Sequence, residues 1–536
     1  MVKEFVVDLF CGAGGTSEGI HLADCDSEVV ACVNHDKNAI ECHRKNHPEA
    51  VHYTEDIRDL SVVAKISVQI AELRASFPNC IITVWASLEC TNFSKAKGGQ
   101  SRDADSRTLA ISLYHYIDLL NPEFLMIENV EEILSWGPLR IKEGIGSTEL
   151  FSVLATDKKG SYINIPNKET LGIYYTDWRD TIKSYGYDYE HKIINAADVG
   201  AVQSRKRYFS QFAKMGLPIH WPEQTHCKKG DVLPKWNSVR PVLDLEDVGV
   251  SIFGRSKKLV ERTEMKIYEG LLKAVAKGDT SFLVKYNSVN GKTGKHISPD
   301  LDMPSPTVAT QGRLALGKVE FMEKAFAITY YGSGVNFHSL DKPCPTIPTK
   351  DRLAKINLVL MNYGSVKGSH RSIESPAGTV VVNDKHNLVT LEHFIYNAAY
   401  KNTGSSIDKP SPTIIARQDK APLYLLSYSR AEEVVIPIYE DDTETMIKIK
   451  KLMAFYGIAN IYLRMFKIPE LLKIQGFPED YVLVGTQAEQ KKYIGNAVEV
   501  TIARKLFEAH SIGIAYLRSL DAYTLTELLT SLKVAV

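Results

Sequence analysis

The stretch Asp8-Leu-Phe-Cys-Gly-Ala-Gly-Gly15 decides the fold, because it joins two segments of different periodicity. The apolar run at residues 5–10 has the composition of a buried strand, whereas residues 17–23 have the spacing of an amphipathic helix. Glycines between a strand and a helix allow a ligand to approach the backbone and leave the N–H groups of the first helical turn free. The stretch therefore predicts a strand, a tight turn and a helix. Purely structural turns of this kind are common, so the motif alone fixes no function.

Further apolar runs alternate with helical segments through the first 215 residues. Runs with the composition of strands lie at residues 29–33, 81–85, 124–127 and 189–194. Segments with helical spacing lie between them, for example at 62–76 and 107–120. Strands that alternate with helices favour a parallel sheet that is covered by helices on both faces. The sequence thus predicts the α/β class, with residues 1–215 forming a Rossmann-like, doubly wound domain.

The composition of the 536 residues is that of a globular protein, since 44% are hydrophobic and 24% are charged. The 64 Lys and Arg residues balance 64 Asp and Glu residues, which excludes a basic nucleic-acid coat and an acidic tail protein. No apolar run approaches the roughly 20 residues of a membrane-spanning helix, and the first strand begins too early for a signal peptide. The eight cysteines are scattered without metal-ligand spacing, which favours reduced thiols. We expect a soluble, cytoplasmic protein that uses no metal.

A recurring Pro-Thr motif marks the second half of the chain. The four copies are Asp302-Met-Pro-Ser-Pro-Thr-Val308, Asp341-Lys-Pro-Cys-Pro-Thr-Ile347, Glu374-Ser-Pro-Ala-Gly-Thr-Val380 and Asp408-Lys-Pro-Ser-Pro-Thr-Ile414. Each copy follows a β-rich run, so the unit reads as strand, polar loop, proline turn and strand. We expect residues 216–455 to form a β-rich, repeat-containing domain and residues 456–536 to return to the first domain. Ordinary hairpin turns, which also use Pro and Gly, are the alternative.

Polar residues follow three of the predicted strands in the first domain. Cys90 lies in Trp85-Ala-Ser-Leu-Glu-Cys-Thr-Asn-Phe-Ser94, Glu128 precedes Asn129-Val130, and Arg205 and Arg207 lie in Gln203-Ser-Arg-Lys-Arg207. A cysteine on its own is more often a small buried residue than a reactive one. Beside a carboxyl group and two guanidinium groups, each at a strand end, it can serve as a nucleophile next to a general acid and an anion clamp.

Taken in order, these blocks resemble the DNA cytosine carbon-5 methyltransferases. The resemblance rests on Phe-x-Gly-x-Gly-Gly at residues 10–15, Cys90 with Phe93-Ser94, Glu128-Asn-Val130, Gln203-x-Arg-x-Arg207, Arg464 with Glu470 and Ile474-Gln-Gly-Phe-Pro478, and Gly495-Asn-Ala-Val498. The blocks appear in the family's order and cover residues 1–215 and 455–515. The resemblance implies methyl transfer from S-adenosyl-L-methionine to carbon 5 of cytosine in double-stranded DNA, with S-adenosyl-L-homocysteine as the product.

The family's mechanism implies roles for the polar residues. A thiolate adds to carbon 6 of cytosine and makes carbon 5 nucleophilic, and Cys90 is implied to be that thiolate. Glu128 is implied to hold the N3 edge of the base and supply a proton, which requires a raised pKa. Arg207 is implied to contact the base carbonyl and Glu128, and Arg205 to hold the Cys90 loop or a phosphate. Asn129 is either an orienting residue or a turn cap, and the base is expected to swing out of the duplex.

The resemblance also assigns residues to the cofactor. The implied contacts are Phe10 near the adenine, Gly12, Gly14 and Gly15 near the methionine part, Asp56 and Ile57 at the adenine edge, and Asn496 and Val498 from the C-terminal block. Asn34 stands where the family usually has an acidic residue for the ribose hydroxyls. These roles require the C-terminal block to fold back onto the first domain.

Glu89 departs from the family pattern, which has proline before the nucleophile. An anion at that position should raise the pKa of the Cys90 thiol, unless the side chain points away or pairs with a cation. The leading hypothesis is an active, sequence-specific DNA methyltransferase. A DNA-binding protein that has lost catalysis is the second hypothesis, and methylation of RNA cytosine or another pyrimidine substrate is the third.

Residues 216–455 occupy the place of the family's target-recognition region. Loops rich in Lys, Arg, Asn and Ser are the candidate DNA contacts, and they lie at 291–295, 364–371 and 401–405. Residues 140–177 do not match the family pattern, and we expect a surface insertion with a hairpin at 157–160. The compact layout indicates a bacterial or phage protein, which we expect to be a monomer and to act beside a cognate restriction endonuclease.

Overall fold

The computed structural model falls into two compact units. The described residues are 2–88, 109–143, 154–156, 161–286, 296, 298–321, 325–331, 334–339, 353–357, 359–362, 370–372, 386–388, 393–397, 405–406, 423–427, 438–456 and 458–534. Unit 1 comprises Met1–Asp244, Leu301–Arg313 and Phe466–Val536, and unit 2 comprises Leu245–Asp300 and Leu314–Met465. The domain bounds expected from the sequence stay a prediction. Among the described residues, no helix has the length and apolarity needed to cross a membrane.

The strands and helices are numbered along the chain. The strands are β1 Glu4–Leu9, β2 Ser27–Val33, β3 Val51–Tyr53, β4 Ile81–Ser87, β5 Phe124–Asn129, β6 Leu139–Ile141, β7 Asn164–Pro166, β8 Tyr187–Asn195, β9 Gln203–Ser204, β10 Lys206–Lys214, β11 Val250–Ser251, β12 Ser281–Lys285, β13 Ser305–Pro306, β14 Leu314–Phe321, β15 Ala325–Tyr331, β16 Gly334–Ser339, β17 Leu353–Asn357, β18 Val359–Asn362, β19 His370–Ser372, β20 His386–Leu388, β21 His393–Asn397, β22 Ser405–Ser406, β23 Leu423–Ser427 and β24 Ile458–Met465. The helices are α1 Gly15–Leu22, α2 Lys37–Asn46, α3 Leu60–Ser76, α4 Leu113–Leu120, α5 Ile173–Ser184, α6 Glu261–Lys277, α7 Glu444–Tyr456, α8 Ile468–Ile474, α9 Gln487–Asn496, α10 Val500–Ser519 and α11 Ala522–Val534.

Seven strands form the central sheet of unit 1, in the order β3-β2-β1-β4-β5-β10-β8. Neighbours from β3 to β5 are parallel, as the sequence predicts. The expectation of a wholly parallel sheet is wrong for β10, which is antiparallel to both β5 and β8. Residues 196–205 join β8 to β10, and so short a connection returns the chain as an antiparallel neighbour, whereas a parallel neighbour needs a longer crossover.

Alternate side chains of β1 contribute to two apolar layers. Phe5 and Val7 pack in a layer with α3, α4 and α5, and Val6 packs in a layer with α1, α2 and α10. Successive side chains of a strand point to opposite faces of the sheet. Helices therefore cover both faces of the sheet, which confirms the doubly wound arrangement.

The C-terminal helices belong to unit 1, and a buried polar contact joins α10 to β1. His510 Nε2 lies 2.7 Å from Glu4 Oε1, and both side chains are buried. Burial raises the pKa of Glu4, but His510 and the hydroxyls of Ser27 and Thr83 lower it further, so the net pKa lies below its usual value. The sequence predicts helices at 498–510 and 524–532; the observed α10 begins at Val500 and continues to Ser519, and α11 extends beyond the expected limits at both ends.

Unit 2 contains a four-stranded antiparallel sheet in the order β11-β24-β14-β12. Helices α6 and α7 share an apolar cluster with this sheet. The apolar spacing of residues 255–277 predicts one helix, but α6 begins only at Glu261. The Arg255 guanidinium instead donates hydrogen bonds to the carbonyl oxygens of Val250 and Ser251. These bonds hold Arg255 against β11 and outside α6.

Three small antiparallel sheets follow one another along unit 2. Their orders are β16-β15-β17, β19-β18-β20 and β22-β21-β23, so the first strand along the chain is central in each. A repeated unit would have this shared topology, but the repeat and its role in target recognition stay predictions. The Pro-Thr copies at 341–347, 374–380 and 408–414 lie outside the described residues, as do the expected DNA-contact loops apart from residues 370–371 and 405.

The first Pro-Thr copy, at 302–308, lies mostly in β13 and its flanks and belongs to unit 1. Strand β13 pairs in parallel with β9, which contains the start of the Gln-x-Arg-x-Arg block. The Thr307 hydroxyl donates to the carbonyl oxygen of Ser204 at 3.0 Å. This copy therefore packs beside a block that carries two of the predicted site residues.

The insertion expected at 140–177 includes most of an antiparallel strand pair and the start of α5. Strand β6 pairs antiparallel with β7, and an isolated bridge joins Thr156 to Tyr162. The hairpin turn expected at 157–160 lies outside the described residues. A role for this segment is not indicated by its contacts.

Candidate active site

The candidate site lies at the carboxyl edge of the sheet in unit 1. From β1 the chain continues to β2 and β3 on one side, while β4 and β5 lie on the other side, so the strand order reverses between β1 and β4. Ligands of open α/β sheets bind in the crevice at such a switch point. The Gly-rich turn follows β1 there, and the residues leading toward Cys90 follow β4. The topology therefore brings the ends of the two motif-bearing strands together.

The Gly-rich turn has a left-handed backbone at several residues. The φ angles are 59° at Phe10, 55° at Gly12 and 99° at Gly14. A residue other than glycine in this region costs about 1–3 kcal/mol, and such strain is retained mainly at functional sites. A side chain at Gly12 would meet only the carbonyl oxygen of Phe10, at 4.0 Å, so the space in front of Gly12 is open. The turn thus has room for a ligand against its backbone.

Gly14 and Gly15 face protein instead of open space. A Cβ atom at Gly14 would collide with the hydroxyl of Tyr481, and one at Gly15 would collide with the carbonyl oxygen of Val498. The buried Tyr481 hydroxyl also donates a hydrogen bond to the carbonyl oxygen of Ala13. Both glycines are therefore needed for the packing of the C-terminal block on the turn, and their contact with the methionine part of the cofactor stays a prediction.

Asn34 and Asp36 follow β2, at the position expected to face the ribose. Asn34 Oδ1 accepts a hydrogen bond from the Asp36 backbone N–H at 2.9 Å. The Asp36 carboxylate caps the first turn of α2, lies 3.0 Å from Lys492 Nζ and accepts from the Tyr493 hydroxyl at 3.1 Å. The side chains of Asn34 and Asp36 are thus both held by local contacts, and the contact of Asn34 with the ribose stays a prediction.

Asp56 and Ile57 follow β3 at the same edge. Asp56 is exposed, and its carboxylate binds the Arg58 guanidinium with a 2.7 Å distance between Oδ2 and Nη2. The Ile57 side chain is buried in the apolar layer, and the Tyr116 hydroxyl donates to the Ile57 carbonyl oxygen at 3.1 Å. These contacts fix the segment relative to the sheet, while its contact with adenine stays a prediction.

Glu128 and Arg207 form a largely buried pair. Phe209 of β10 pairs with Glu128 of β5, so Arg207 lies two residues before the partner of Glu128. Arg207 Nε lies 3.2 Å from Glu128 Oε1, with the side chains 15% and 9% exposed. Burial raises the pKa of Glu128, and the positive charges of Arg207 and Arg205 offset only part of this effect. A carboxyl group with a raised pKa can carry a proton and donate it.

Asn129 joins the end of β5 to the residue after β4. Its side chain is fully buried, with Nδ2 donating to the Leu88 carbonyl oxygen at 3.4 Å and Oδ1 accepting from the Val130 N–H at 2.7 Å. Leu88 is two residues before Cys90, so this contact favours the orienting role over a simple turn cap. Glu89 and Cys90 themselves lie outside the described residues.

Arg205 is buried and holds the C-terminal block. Its Nη1 and Nη2 donate to the carbonyl oxygens of Gly495 and Ala497 at 3.2 and 3.0 Å. Gln203 donates to Gln475 Oε1 at 3.0 Å, and Gln475 donates to the Ala497 carbonyl oxygen at 2.8 Å. A phosphate contact would need an exposed guanidinium, so these contacts favour a positioning role for Arg205; its contact with the Cys90 loop stays a prediction.

Asn496 and Val498 lie in the segment that Arg205 holds. Asn496 is exposed at the end of α9, and Val498 is buried in the apolar layer that contains α1 and α10. The backbone of Val498 lies against Gly15. The structure therefore brings the C-terminal block to the Gly-rich turn, while the cofactor contacts of these two residues stay predictions.

A chain of buried polar side chains lies behind the turn and is not evident from the sequence. Ser17 Oγ donates to Asp8 Oδ2, Ser17 Oγ lies next to His43 Nε2, and His43 Nδ1 lies next to His52 Nε2, each at 2.9 Å. Burial raises the pKa of Asp8 to about 7. Cys32 Sγ and His52 Nε2 contact opposite nitrogens of His43, at 3.3 and 2.9 Å. The only sequence signal is an acidic residue within the apolar run of β1.

Comparison with known proteins identifies the family. The sequence profile described as C-5 cytosine-specific DNA methylase matches residues 5–143 and 358–511. The chain belongs to this family. Members of the family use S-adenosylmethionine and act on DNA. The matched residues include the Gly-rich turn, the Glu128 block and the C-terminal block.

Bacterial type II methyltransferases are among the similar curated proteins. The chain is 26% identical to M.AgeI of Thalassovita gelatinovora over 221 residues, which are 41% of this chain and 42% of that protein. It is 24% identical to M.AquIA of Picosynechococcus over 225 residues, which are 42% of this chain and 78% of that protein. The match thus spans less than half the length of M.AgeI. A solved structure of Dnmt2 methyltransferase from S. pombe aligns with a TM-score of 0.42 and 12% identity, covering 96% of this chain and 99% of the other.

Proposed function

We propose that this protein is a sequence-specific DNA methyltransferase that transfers a methyl group from S-adenosylmethionine to carbon 5 of cytosine. The observation that carries the proposal is the buried Glu128–Arg207 pair at the carboxyl edge of the sheet. Glu128 is the second-last residue of β5, and β5 is the parallel neighbour of β4, which leads toward Cys90. In this proposal the pair supplies the proton donor and the cation that act with Cys90, which itself lies outside the described residues.

Glu128 and Arg207 act on the pyrimidine edge of the base in this proposal. The raised pKa of Glu128 lets its carboxyl group hold a proton for N3 of cytosine. Arg207 keeps that carboxyl group in place and donates hydrogen bonds to the adjacent base carbonyl. Protonation at N3 withdraws electrons from the ring and prepares carbon 6 for attack.

Cys90 is the proposed nucleophile. Its sulfur forms a bond to carbon 6, and the electron pair of the 5,6 double bond becomes available at carbon 5. Carbon 5 then accepts the methyl group. Water acts as the base that takes the proton from carbon 5, and the bond between sulfur and carbon 6 breaks to release the Cys90 thiolate. The proton at N3 returns to Glu128, which restores the neutral aromatic base.

The Gly-rich turn fits the family's cofactor. The open face at Gly12 and the strained backbone at Phe10 lie at the switch point, where the adenosyl and methionine parts would contact the chain. Phe10, Gly12, Gly14, Gly15, Asn34, Asp56, Ile57, Asn496 and Val498 are the residues proposed to hold it. When bound, S-adenosylmethionine supplies an electrophilic methyl group.

The target cytosine has to leave the duplex in this account. The Glu128 side chain is only 9% exposed, so a base that remains stacked could not bring its N3 edge to the carboxyl group. Extrusion of one nucleotide costs a few kcal/mol of stacking and pairing, which contacts in the pocket must offset. Recognition of a particular sequence is assigned to the segment at 216–455.

The proposal is tested by methyl transfer from labelled S-adenosylmethionine to mixed-sequence duplex DNA. We expect transfer by the wild type, no transfer by Cys90→Ser, and 5-methylcytosine in a single sequence motif after base-resolution mapping. No transfer by the wild type, despite binding of S-adenosylhomocysteine and with activity in Glu89→Pro, would instead identify a protein that has lost catalysis. Transfer to RNA of the same sequence in preference to DNA would replace the proposed substrate.

We further infer that the protein is a bacterial or phage enzyme, acts as a monomer in the cytoplasm and is paired with a restriction endonuclease for the same motif. The similarity to bacterial type II methyltransferases supports this inference. Light scattering after gel filtration tests the monomer. Resistance of the methylated DNA to an endonuclease that cuts the mapped motif tests the pairing.

A further inference from the structure

A basic loop in unit 1, residues 226–236, has no part in the proposed chemistry. The loop closes on itself, because the Cys227 N–H donates to the Pro234 carbonyl oxygen at 2.9 Å and the Trp236 N–H donates to the Cys227 carbonyl oxygen at 3.0 Å. The Gly230 N–H also donates to Cys227 Sγ at 3.1 Å. These hydrogen bonds give the basic loop a defined hairpin-like shape.

Asp198 anchors the basic loop to the short turn that follows β8. The backbone N–H groups of Thr225 and His226 donate to the Asp198 carbonyl oxygen, both at 3.0 Å. The Trp236 indole N–H donates to Asp198 Oδ1 at 2.9 Å. Both ends of the basic loop are thus held by one residue of that turn.

This anchor places the basic loop at the edge of the sheet that carries the candidate site. Strand β8 ends at Asn195, which pairs with Lys206 at the start of β10. Three residues further along β10, Phe209 pairs with Glu128. The turn with Asp198 follows Asn195 directly, so the basic loop and the Glu128–Arg207 pair lie at the same edge.

The basic loop presents a net positive charge. Lys228, Lys229 and Lys235 are exposed, and Asp231 is the only acidic residue between 226 and 236. Within the described part of the chain, none of the three lysines forms an ion pair. Val232 is 92% exposed next to them, so the tip is not covered by the rest of unit 1. The whole chain has zero formal net charge, so this excess of lysine is a local feature of the basic loop.

We propose that the basic loop binds phosphate groups of the duplex that flanks the target cytosine. The inference rests on the proposed function, since a duplex whose cytosine reaches Glu128 must approach this edge of the sheet. Exposed lysines beside such a site attract the phosphate backbone without reading the sequence. The loop then contributes affinity and orientation, and the choice of sequence belongs to other residues of the segment at 216–455.

The salt dependence of DNA binding measures such contacts. Each phosphate contact contributes about 0.9 to the slope of log K against log salt, so Lys228→Ala with Lys229→Ala should lower the slope by about 2. The variant Asp231→Lys should raise it by about 1. Mixed-sequence duplex DNA of one length is the probe, and its binding is measured by fluorescence anisotropy at several salt concentrations.

A matched control removes two exposed lysines from the opposite edge of the sheet. Lys3 lies just before β1, and Lys183 lies in the last turn of α5, just before β8 begins. The double variant Lys3→Ala with Lys183→Ala makes the same change in net charge. It therefore measures how much the net charge alone, without contacts at the basic loop, changes the salt dependence of DNA binding. Far-UV circular dichroism and the affinity for S-adenosylhomocysteine check that all variants keep the fold of unit 1.

The inference is supported if the basic-loop variants change the slope in the stated directions while the control pair leaves it near the wild-type value. Equal slopes for the two double variants overturn it. DNA binding is measured without methyl transfer, so the two proposals fail separately: an inactive wild type with the expected slopes refutes only the proposed catalysis, and an active wild type with equal slopes refutes only the basic-loop contact.

Discussion

Removal of the Tyr481 hydroxyl tests whether the C-terminal block holds the Gly-rich turn in its conformation. It donates to the carbonyl oxygen of Ala13, within the turn that is proposed to hold the cofactor. In Tyr481→Phe the ring stays against Phe477, whose ring centroid lies 4.4 Å away, so the packing is kept. Only the hydrogen bond is lost, and the turn becomes freer to leave its strained conformation.

The expected magnitude follows from the burial of both partners. A buried hydrogen bond contributes about 1 kcal/mol, and an unsatisfied buried carbonyl costs about 1–3 kcal/mol. We expect the free energy of unfolding of Tyr481→Phe to fall by about 1–2 kcal/mol. If the cofactor binds only to the turn in its present conformation, binding loses up to the same amount, about 1–2 kcal/mol. The affinity for S-adenosylhomocysteine then falls by about 5- to 30-fold.

Tyr187→Phe is the matched control at the opposite edge of the sheet. The buried Tyr187 hydroxyl donates to the Pro122 carbonyl oxygen, at the start of β8 and just before β5. Urea titration gives the stability of each variant, and isothermal titration calorimetry gives its affinity for S-adenosylhomocysteine. We expect similar losses of stability in both variants but weaker binding only in Tyr481→Phe. Equal affinities in the two variants would refute the positioning role of Tyr481.

Three more substitutions test the buried acidic residues of unit 1. Glu128→Gln cannot deliver a proton, so we expect kcat for DNA methylation to fall by about 10²-fold or more, with an unchanged affinity for S-adenosylhomocysteine in calorimetry; an unchanged kcat would remove the proposed acid. Glu4→Gln removes the buried negative charge that accepts from His510, Ser27 and Thr83, and should lower the free energy of unfolding in urea by about 1–3 kcal/mol at pH 7. Because the folded pKa of Glu4 lies below its usual value of 4.5, this difference should be complete above that pH and shrink below it; a difference that does not change with pH would count against the pair. Burial raises the pKa of Asp8 from 3.8 to about 7, so this group stabilises the fold fully below pH 3.8 and loses that contribution as the pH rises to 7. Asp8→Asn should therefore gain stability relative to the wild type between pH 4 and pH 7 in urea titrations, and parallel pH profiles would show that Asp8 is not protonated in the folded protein.

Local sequence signals predicted the scaffold of the site. The apolar runs of β1, β2, β4 and β5 and the Gly-rich turn are continuous in sequence, so their periodicity shows strand, turn and helix. The contact between Glu128 and Arg207 was also expected, because the resemblance pairs the two blocks. The antiparallel β10 was not expected, since its direction depends on the length of the preceding connection, which an apolar run does not reveal.

Long-range polar contacts could not be predicted from spacing. The hydrogen bond from Tyr481 to Ala13 joins residues 468 positions apart. The polar chain that begins at Asp8 takes its other members from two helices and two strands, so no single segment carries its pattern. Arg205 was expected near the nucleophile loop or a phosphate, and its described contacts with Gly495 and Ala497 arise only when the chain folds back.

The central claim is that Cys90 forms a covalent bond to carbon 6 of a cytosine whose N3 edge faces Glu128. The most direct measurement is the mass, under denaturing conditions, of the protein after incubation with S-adenosylmethionine and a duplex that carries 5-fluorocytosine in the mapped motif. Fluorine replaces the proton that must leave carbon 5, so the thiol cannot be released. We predict a one-to-one covalent adduct that is absent in Cys90→Ser. Persistence of the adduct in Cys90→Ser, or no adduct from a wild type that methylates the unmodified duplex, would contradict the account.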